Sequence, residues 1–194
     1  MVPVKNFSYK REVLRKLIHF SSAIFPAILF YFGKNISIPI FLIFTLTFIV
    51  FDFLRMRNIK IKKLYLFFFN YVTRPSEESK LTGATYVFIS ILFISIFFNK
   101  ETALASLLIM SISDPFAALV GRSFGSFSIL NKSLEGSISF FVITFLILFL
   151  LNFDSLTILI VALFCTIFEL FSKKIKIDDN LLVPICASLL LSIF

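Results

Sequence analysis

Residues 36–54 read ISIPIFLIFTLTFIVFDFL, with a single ionisable side chain, Asp52, close to the end. A helix that crosses a bilayer needs about 20 predominantly apolar residues, and somewhat fewer where flanking side chains snorkel to the interface. The stretch therefore predicts a transmembrane helix. Working outward by the same criterion gives six more, at 17–33, 82–98, 102–120, 137–153, 155–172 and 181–194. The last is short and needs its end at the interface. Residues 61–72, IKKLYLFFFNYV, are too few to cross. Their basic start and aromatic body predict a helix lying in the headgroup region.

Composition agrees. Of 194 residues, 59% are hydrophobic and 15% charged, with mean hydropathy +1.00. A soluble domain carries about 45–50% apolar and about 25% charged residues. A water-soluble core cannot absorb such an excess, which excludes a soluble enzyme or DNA-binding module. The fold class expected is an all-α, polytopic membrane bundle of about seven spans, forming a single domain over residues 1–194, because no polar stretch is long enough for a second. The 29 Phe read as compositional drift. Cys165 and Cys186 lie in apolar runs without a CxxC or a nearby His, and read as buried thiols. The N-terminus imitates a signal peptide, but His19 and Pro26 interrupt its apolar run and no small-residue cleavage site follows, so it is read as the first span.

Lys and Arg set the orientation. With a cytosolic N-terminus, segments 1–16, 55–81, 121–136 and 173–180 face inward and hold 17 of the 19 basic residues. Lys34 and Lys100 face outward, offset by Glu101 and Asp154, so the whole formal charge of +8 faces the cytosol. That surface suits anionic headgroups and nucleotide phosphates, and no folded basic module is present for nucleic acid. The expected location is the cell inner membrane, or the endoplasmic reticulum in a eukaryote. The inward connections run from eight to 27 residues while the outward ones are short, which places the chemistry on the cytosolic side.

Ionisable residues inside a bilayer are costly and usually functional. Four fall within the expected spans: His19, Asp52, Asp114 and Glu169. All lie toward the cytosolic end, which favours an enzyme at the boundary over a transporter with a midplane site on repeated halves. Asp52 can also simply pair with Arg55, and Glu169 with Lys173. His19 shares a helix face with Glu12 and Arg15 at spacings of seven and four residues, more than an interior histidine requires.

The stretch 114–136, DPFAALVGRSFGSFSILNKSLEG, carries the chemistry. Pro115 cannot donate a backbone bond and disfavours helix at Asp114, so a break is expected there. Gly121 and Gly125 permit close backbone approach, either to another helix or to phosphates. Arg122, Lys132, Glu135 and Gly136 follow on the same loop. Polyphosphate chemistry uses that mixture: cations for phosphates and carboxylates for Mg²⁺.

The pattern D-x-x-A-x-x-x-G-x-x-x-G followed by K-x-x-E-G resembles the nucleotide-binding signature of membrane CTP-dependent lipid kinases: the dolichol, phytol and related prenol kinases and the CTP-dependent diacylglycerol kinases. EVLRKLIH, with Glu12, Arg15, Lys16 and His19, resembles the family's N-terminal E-x-x-R-K-x-x-H. Arg74, Glu77 and residues 81–86 resemble the opening of its middle span, and Glu169 with Asp179, Asn180 and Pro184 its C-terminal motif. The match is collinear from residue 12 to 184. It implies that Asp114, Gly121, Arg122, Gly125, Lys132, Glu135 and Gly136 bind CTP phosphates and Mg²⁺. Arg15, Lys16 and His19 would complete the site from the first helix, and Glu169, Asp179 and Asn180 from the sixth loop. Asp114, Glu135, Glu169 and Asp179 would be the metal-side carboxylates, with Asp114, Glu135 or His19 in the catalytic step. The implied substrates are CTP and a lipid alcohol, either a polyprenol-type alcohol or diacylglycerol.

Two other readings compete. Phosphatidate cytidylyltransferases also carry an Asp, a G-R-x-F-G-like stretch and a Lys near Glu-Gly, but normally end on a signature with His-Gly-Gly; this chain has no His after His19 and no Gly after Gly136. A small transporter accounts for the spans but not for the one-sided polar cluster. The oligomeric state is left open by the sequence.

Overall fold

Apolar runs make the helices of this chain, and short polar side chains start them. In the computed structural model, which describes residues 9–130, 132–175 and 177–193 apart from the side chains of Ser76 and Lys173, they form an all-α bundle. The elements are α1 (Tyr9–Ser21), α2 (Ile24–Arg57), α3 (Ile59–Phe69), α4 (Gly83–Phe97), α5 (Lys100–Leu108), α6 (Asp114–Phe124), α7 (Leu134–Leu150), α8 (Ser155–Ile175) and α9 (Asp179–Ile193). A 3₁₀ turn occupies Pro75–Glu77, and a π-helical turn, Ile109–Ser113, joins α5 to α6. Side-chain oxygens of Asn58, Thr82, Asn99, Ser133, Asp154 and Asp178 accept from backbone N–H groups at the starts of α3, α4, α5, α7, α8 and α9. Each satisfies a donor that the helix cannot pair internally.

Among the described residues, three helical runs are long and apolar enough to cross a membrane: Tyr9–Arg57, Lys100–Phe124 and Ser155–Ser172. Gly83–Phe97, Leu134–Leu150 and Asp179–Ile193 are apolar but shorter. The first run is not straight. At Gly33 the backbone takes φ 70° and ψ 175°, a region open essentially to glycine alone. Beyond it the chain folds back, because the Phe25 and Phe41 rings lie 5.8 Å apart, whereas 16 residues of straight helix would separate them by about 24 Å. The reversal falls where the expected spans 17–33 and 36–54 meet. The stretch expected in the headgroup region, 61–72, is α3 with the turn after it.

The burial pattern is that of a protein whose solvent is lipid. Large apolar side chains such as Phe30, Leu150 and Leu159 are exposed, while Ser37, Ser90, Ser106, Ser111, Ser113, Thr144 and Ser188 are fully buried. Small hydroxyl residues let helices approach closely and bond across the gap. Thr45 donates to the Phe88 carbonyl at 3.0 Å, Ser90 to the Asn180 carbonyl at 2.6 Å and Thr144 to Ser113 at 3.0 Å. One apolar cluster gathers Phe140, Leu148, Val161 and Val183 from α7, α8 and α9, and another gathers Leu29, Phe41, Ile91 and Leu107 from α2, α4 and α5.

Candidate active site

Asp114 is the hinge of the site. Pro115 has no N–H to give to the turn before it, but the chain does not break at Asp114, which is itself helical with φ −65° and ψ −46°; the irregularity lies just before it, in the π-turn Ile109–Ser113. The Met110 carbonyl in that turn accepts from His19 Nε2 at 3.0 Å. Because a carbonyl only accepts, Nε2 carries a proton. The same nitrogen lies 3.6 Å from Asp114 Oδ2, and Asp114 pairs with Lys16. Lys16 and Asp114 are both buried. α1 and α6 are thus joined by charged groups that no bilayer tail could satisfy.

Asp114 lies in the wall of a cavity of about 440 Å³, which is also lined by Lys16, Gly121, Arg122, Gly125, Lys132, Gly136, Glu169 and Asp179. Lys132 enters it on a two-residue strand, β2 (Lys132–Ser133), antiparallel to β1 (Ser128–Ile129) with Ile129 opposite Lys132. It pairs with Glu169 and lies 3.5 Å from Asp179 Oδ2. Burial pulls the Lys132 ammonium down, but the Asp179 and Glu169 carboxylates outweigh it and hold its pKa above the ordinary lysine value. Asp178 caps α9 by accepting from the Asn180 backbone at 3.0 Å, which leaves Asp179 to face Lys132. Burial and the neighbouring Asp179 charge push the Asp178 carboxyl up to about 6.

The glycines serve helix packing. A Cβ on Gly125 would stand 2.1 Å from the Gly121 carbonyl and 2.7 Å from Ser133 Cβ. One on Gly136 would stand 2.7 Å from the Ala117 carbonyl, and one on Gly121 2.5 Å from Ser133 Oγ. Close approach of α6 to the start of α7 is thus one use of Gly121 and Gly136, and all three glycines also line the cavity. It brings the start of α7 against α6 and sets the loop that carries Lys132.

The remaining candidates sit differently. Arg15, His19 and Asn180 face an adjoining cavity, and Lys16 lines both. Arg15 Nη2 donates to Glu12 at 2.9 Å, and Asn180 Nδ2 to Asp178 at 2.8 Å. Glu135 is absent from either lining; its Oε1 accepts from the Ser126 and Phe127 backbone at 2.7 and 3.3 Å, bracing the 126–127 turn. Asp52 does pair with Arg55, at 2.9 Å, and its other oxygen accepts from Thr82 and Thr85 at the start of α4. The Glu169–Lys173 pairing falls on a side chain outside the described residues, as do the basic residues Lys5 and Lys176. Glu12 and Arg74, bonded to each other at 2.7 Å, also line the polar cavity. Their place in the resembled motifs was the signal; the pairing across 62 residues was not readable.

Among the described residues no three His, Cys, Asp or Glu side chains gather as a metal site. Mg²⁺ in phosphoryl transfer keeps waters and takes one or two carboxylates together with substrate phosphates. The donors here suit that partial role: Asp114, Glu169 and Asp179 are oxygen ligands on one cavity, and buried Glu169 Oε2 has no hydrogen-bond partner.

The chain is similar to several known proteins. It is 34% identical over 201 residues to an uncharacterised protein of Rickettsia prowazekii, covering 98% of each. It is 31% identical over 144 residues to CTP-dependent diacylglycerol kinase 1 of Saccharomyces cerevisiae, covering 71% of this chain and 49% of that one. It is 34% identical over 138 residues to a probable chloroplastic phytol kinase of Zea mays, covering 61% and 46%. The matched region thus spans about half the length of these two kinases. No family model matches the chain, and no solved structure matches it significantly.

Proposed function

The chain is homologous, at moderate identity over part of its length, to the CTP-dependent diacylglycerol and phytol kinase-like family, and from that premise we propose that it is a membrane lipid-alcohol kinase. It transfers the γ-phosphate of CTP to the hydroxyl of a polyprenol-type alcohol or diacylglycerol at the cytosolic face. One observation carries the reading: Lys16 and Lys132, from distant parts of the chain, meet carboxylates on one polar cavity.

In this reading the two lysines are held on carboxylates until phosphate arrives. Lys16 and Lys132 then pass to the phosphate oxygens, with Arg122 at the cavity rim. Asp114, Glu169 and Asp179 would hold Mg²⁺, which when bound neutralises the β- and γ-oxygens. Arg15, Asn180 and Glu135 act one layer out, orienting Glu12, the start of α9 and the 126–127 turn. The new bond forms between the lipid oxygen and the γ-phosphorus, the β–γ bridge breaks, and CDP leaves. The hydroxyl proton passes to Asp114, or to His19 through its Nδ1, since Nε2 already carries hydrogen.

Seven spans with a cytosolic N-terminus complete the proposal. It is supported at the far end, where Lys34 Nζ donates to the Ile96 and Phe98 carbonyls at 3.2 and 2.8 Å and Lys100 stands 5.5 Å from the Phe30 ring. The two basic residues expected outside thus cluster away from the charged cavity.

The test uses purified protein, Mg²⁺, lipid alcohols, phosphatidate, and CTP labelled separately at its α and γ phosphates. γ label on a lipid alcohol with CDP released is the expected result. α label on phosphatidate with pyrophosphate released would replace the kinase with a cytidylyltransferase.

A further inference from the structure

The adjoining cavity measures about 520 Å³ and lies between α1, α2, α3 and α4. Phe25, Phe48, Phe51, Phe69, Val87 and Phe88 make most of its wall. Polar side chains complete the lining, among them Arg15, Asp52, Glu77 and Asn180, with Lys16 and His19 on the side of Asp114. Those two side chains reach Asp114 on the phosphate side, Lys16 by direct pairing and His19 Nε2 at 3.6 Å. Toward the outside it is bordered by Ile18, Thr47 and Ala84, all exposed on the apolar surface of the bundle. The cavity therefore runs from the lipid-facing surface to the one place where the two cavities share a wall.

We propose that this cavity is the acceptor site, holding one hydrocarbon chain with its terminal hydroxyl at His19 and Asp114. The proposal rests on the kinase reading for its chemistry, but binding itself does not. Along the phenylalanine wall the phosphates and ribose of a nucleotide find no partners, and the other ionisable side chains of the lining, Arg15, Asp52 and Glu77, are already bonded to Glu12, Arg55 and the Arg74 backbone. Size favours one chain over two: at about 30 Å³ per carbon, similar to a water's share of the liquid, 520 Å³ takes roughly 17 carbons. A two-chain lipid would leave one chain in the bilayer, beyond Ala84 and Thr47. Bilayer tails are as apolar as the wall and gain little by entering. Selection must therefore come from the hydroxyl meeting the polar end, which is where the reacting atom has to be.

The experiment is photolabelling of the full chain in lipid nanodiscs by a single-chain prenyl alcohol carrying a diazirine on its chain, without nucleotide. Label is expected on peptides holding Phe25, Phe48 and Phe88, and excess unlabelled alcohol should suppress it at least tenfold. The corresponding hydrocarbon without hydroxyl should not compete. Ala84→Trp, which fills the cavity mouth, should lower labelling at least fivefold, as should Thr47→Phe from the facing wall. Leu159→Trp on the exposed side of α8 should not. Should one cavity variant fail to fold, the competition result on the unaltered protein stands by itself. Label spread over lipid-facing residues such as Leu150, or equal competition by the hydrocarbon, would overturn the proposal. Cavity labelling without phosphoryl transfer from any nucleotide would remove the kinase reading and leave the alcohol site. Transfer with label elsewhere would do the reverse.

Discussion

Lys132 is one residue on a two-residue strand, yet it faces Glu169 and Asp179 from two other elements. Removing it leaves two carboxylates unneutralised and, on the proposed reading, takes away a phosphate ligand. Lys132→Ala is expected to lower kcat/KM for CTP on the order of 100- to 1000-fold, the usual cost of losing one donor to developing charge. Lys132→Arg should recover part of that, because the charge returns in a different shape. Steady-state kinetics in detergent decide it, and near-unaltered activity in Lys132→Ala would remove the residue from the site. Asp114→Asn should also abolish turnover. It leaves the buried Lys16 ammonium without its counter-charge, a loss of up to about 3–5 kcal/mol, so insertion and folding must be measured beside activity. The candidate residues were legible one by one in the sequence, from type and spacing. Their partners were not, because ion pairs across 98 or 37 positions have no local signature.

At the scale of elements, α6 and α7 meet through backbone. Gly125→Ala places a methyl carbon 2.1 Å from the Gly121 carbonyl at the end of α6 itself and 2.7 Å from Ser133 Cβ at the start of α7, so the end of α6 and the loop that carries Lys132 must both shift. The expected loss is about 1–3 kcal/mol, as for other overpacked sites, together with misplacement of Lys132. Gly33→Ala fails for a different reason. Nothing lies within 4 Å of its Cβ position, but φ is +70°, and the strain should cost about 1–3 kcal/mol. Thermal unfolding in detergent separates the two: both variants should melt below the parent, and only Gly125→Ala should also raise KM for CTP. A Gly125→Ala variant as stable and active as the parent would contradict the close packing. The apolar runs placed α4, α7, α8 and α9 to within a few residues, whereas a turn at residues 22–23 divides the run expected at 17–33 and a π-turn divides the one expected at 102–120. The π-turn was not legible in the run, since it depends on Pro115 and on what Met110 can bond instead.

Across the whole molecule, charge is sorted by end. Single-cysteine variants give the test: in intact cells a membrane-impermeant maleimide should label Lys34→Cys and Lys100→Cys, and should label Lys63→Cys only after permeabilisation. The opposite pattern would invert the proposed orientation and move the site to the outer face. The two cavities impose a second order. One is lined by lysines and carboxylates and is the proposed place of phosphate chemistry, the other is mostly apolar and bordered by exposed residues, and Lys16 lines both.

The sequence by itself determined the solvent and the helices. A chain that is 59% hydrophobic has to hide its backbone in helices within lipid, and each apolar run carries that instruction locally. It also supplied the candidates for handling phosphate, because few side chains can. The fold-back of α2 at Gly33, the close approach at Gly121 and Gly136, and the places of Glu135 at the 126–127 turn and of Glu12 and Arg74 on the cavity wall came from the tertiary structure. These are contacts between positions far apart in the chain. Shape and neighbouring charge fix them, and a linear pattern records neither.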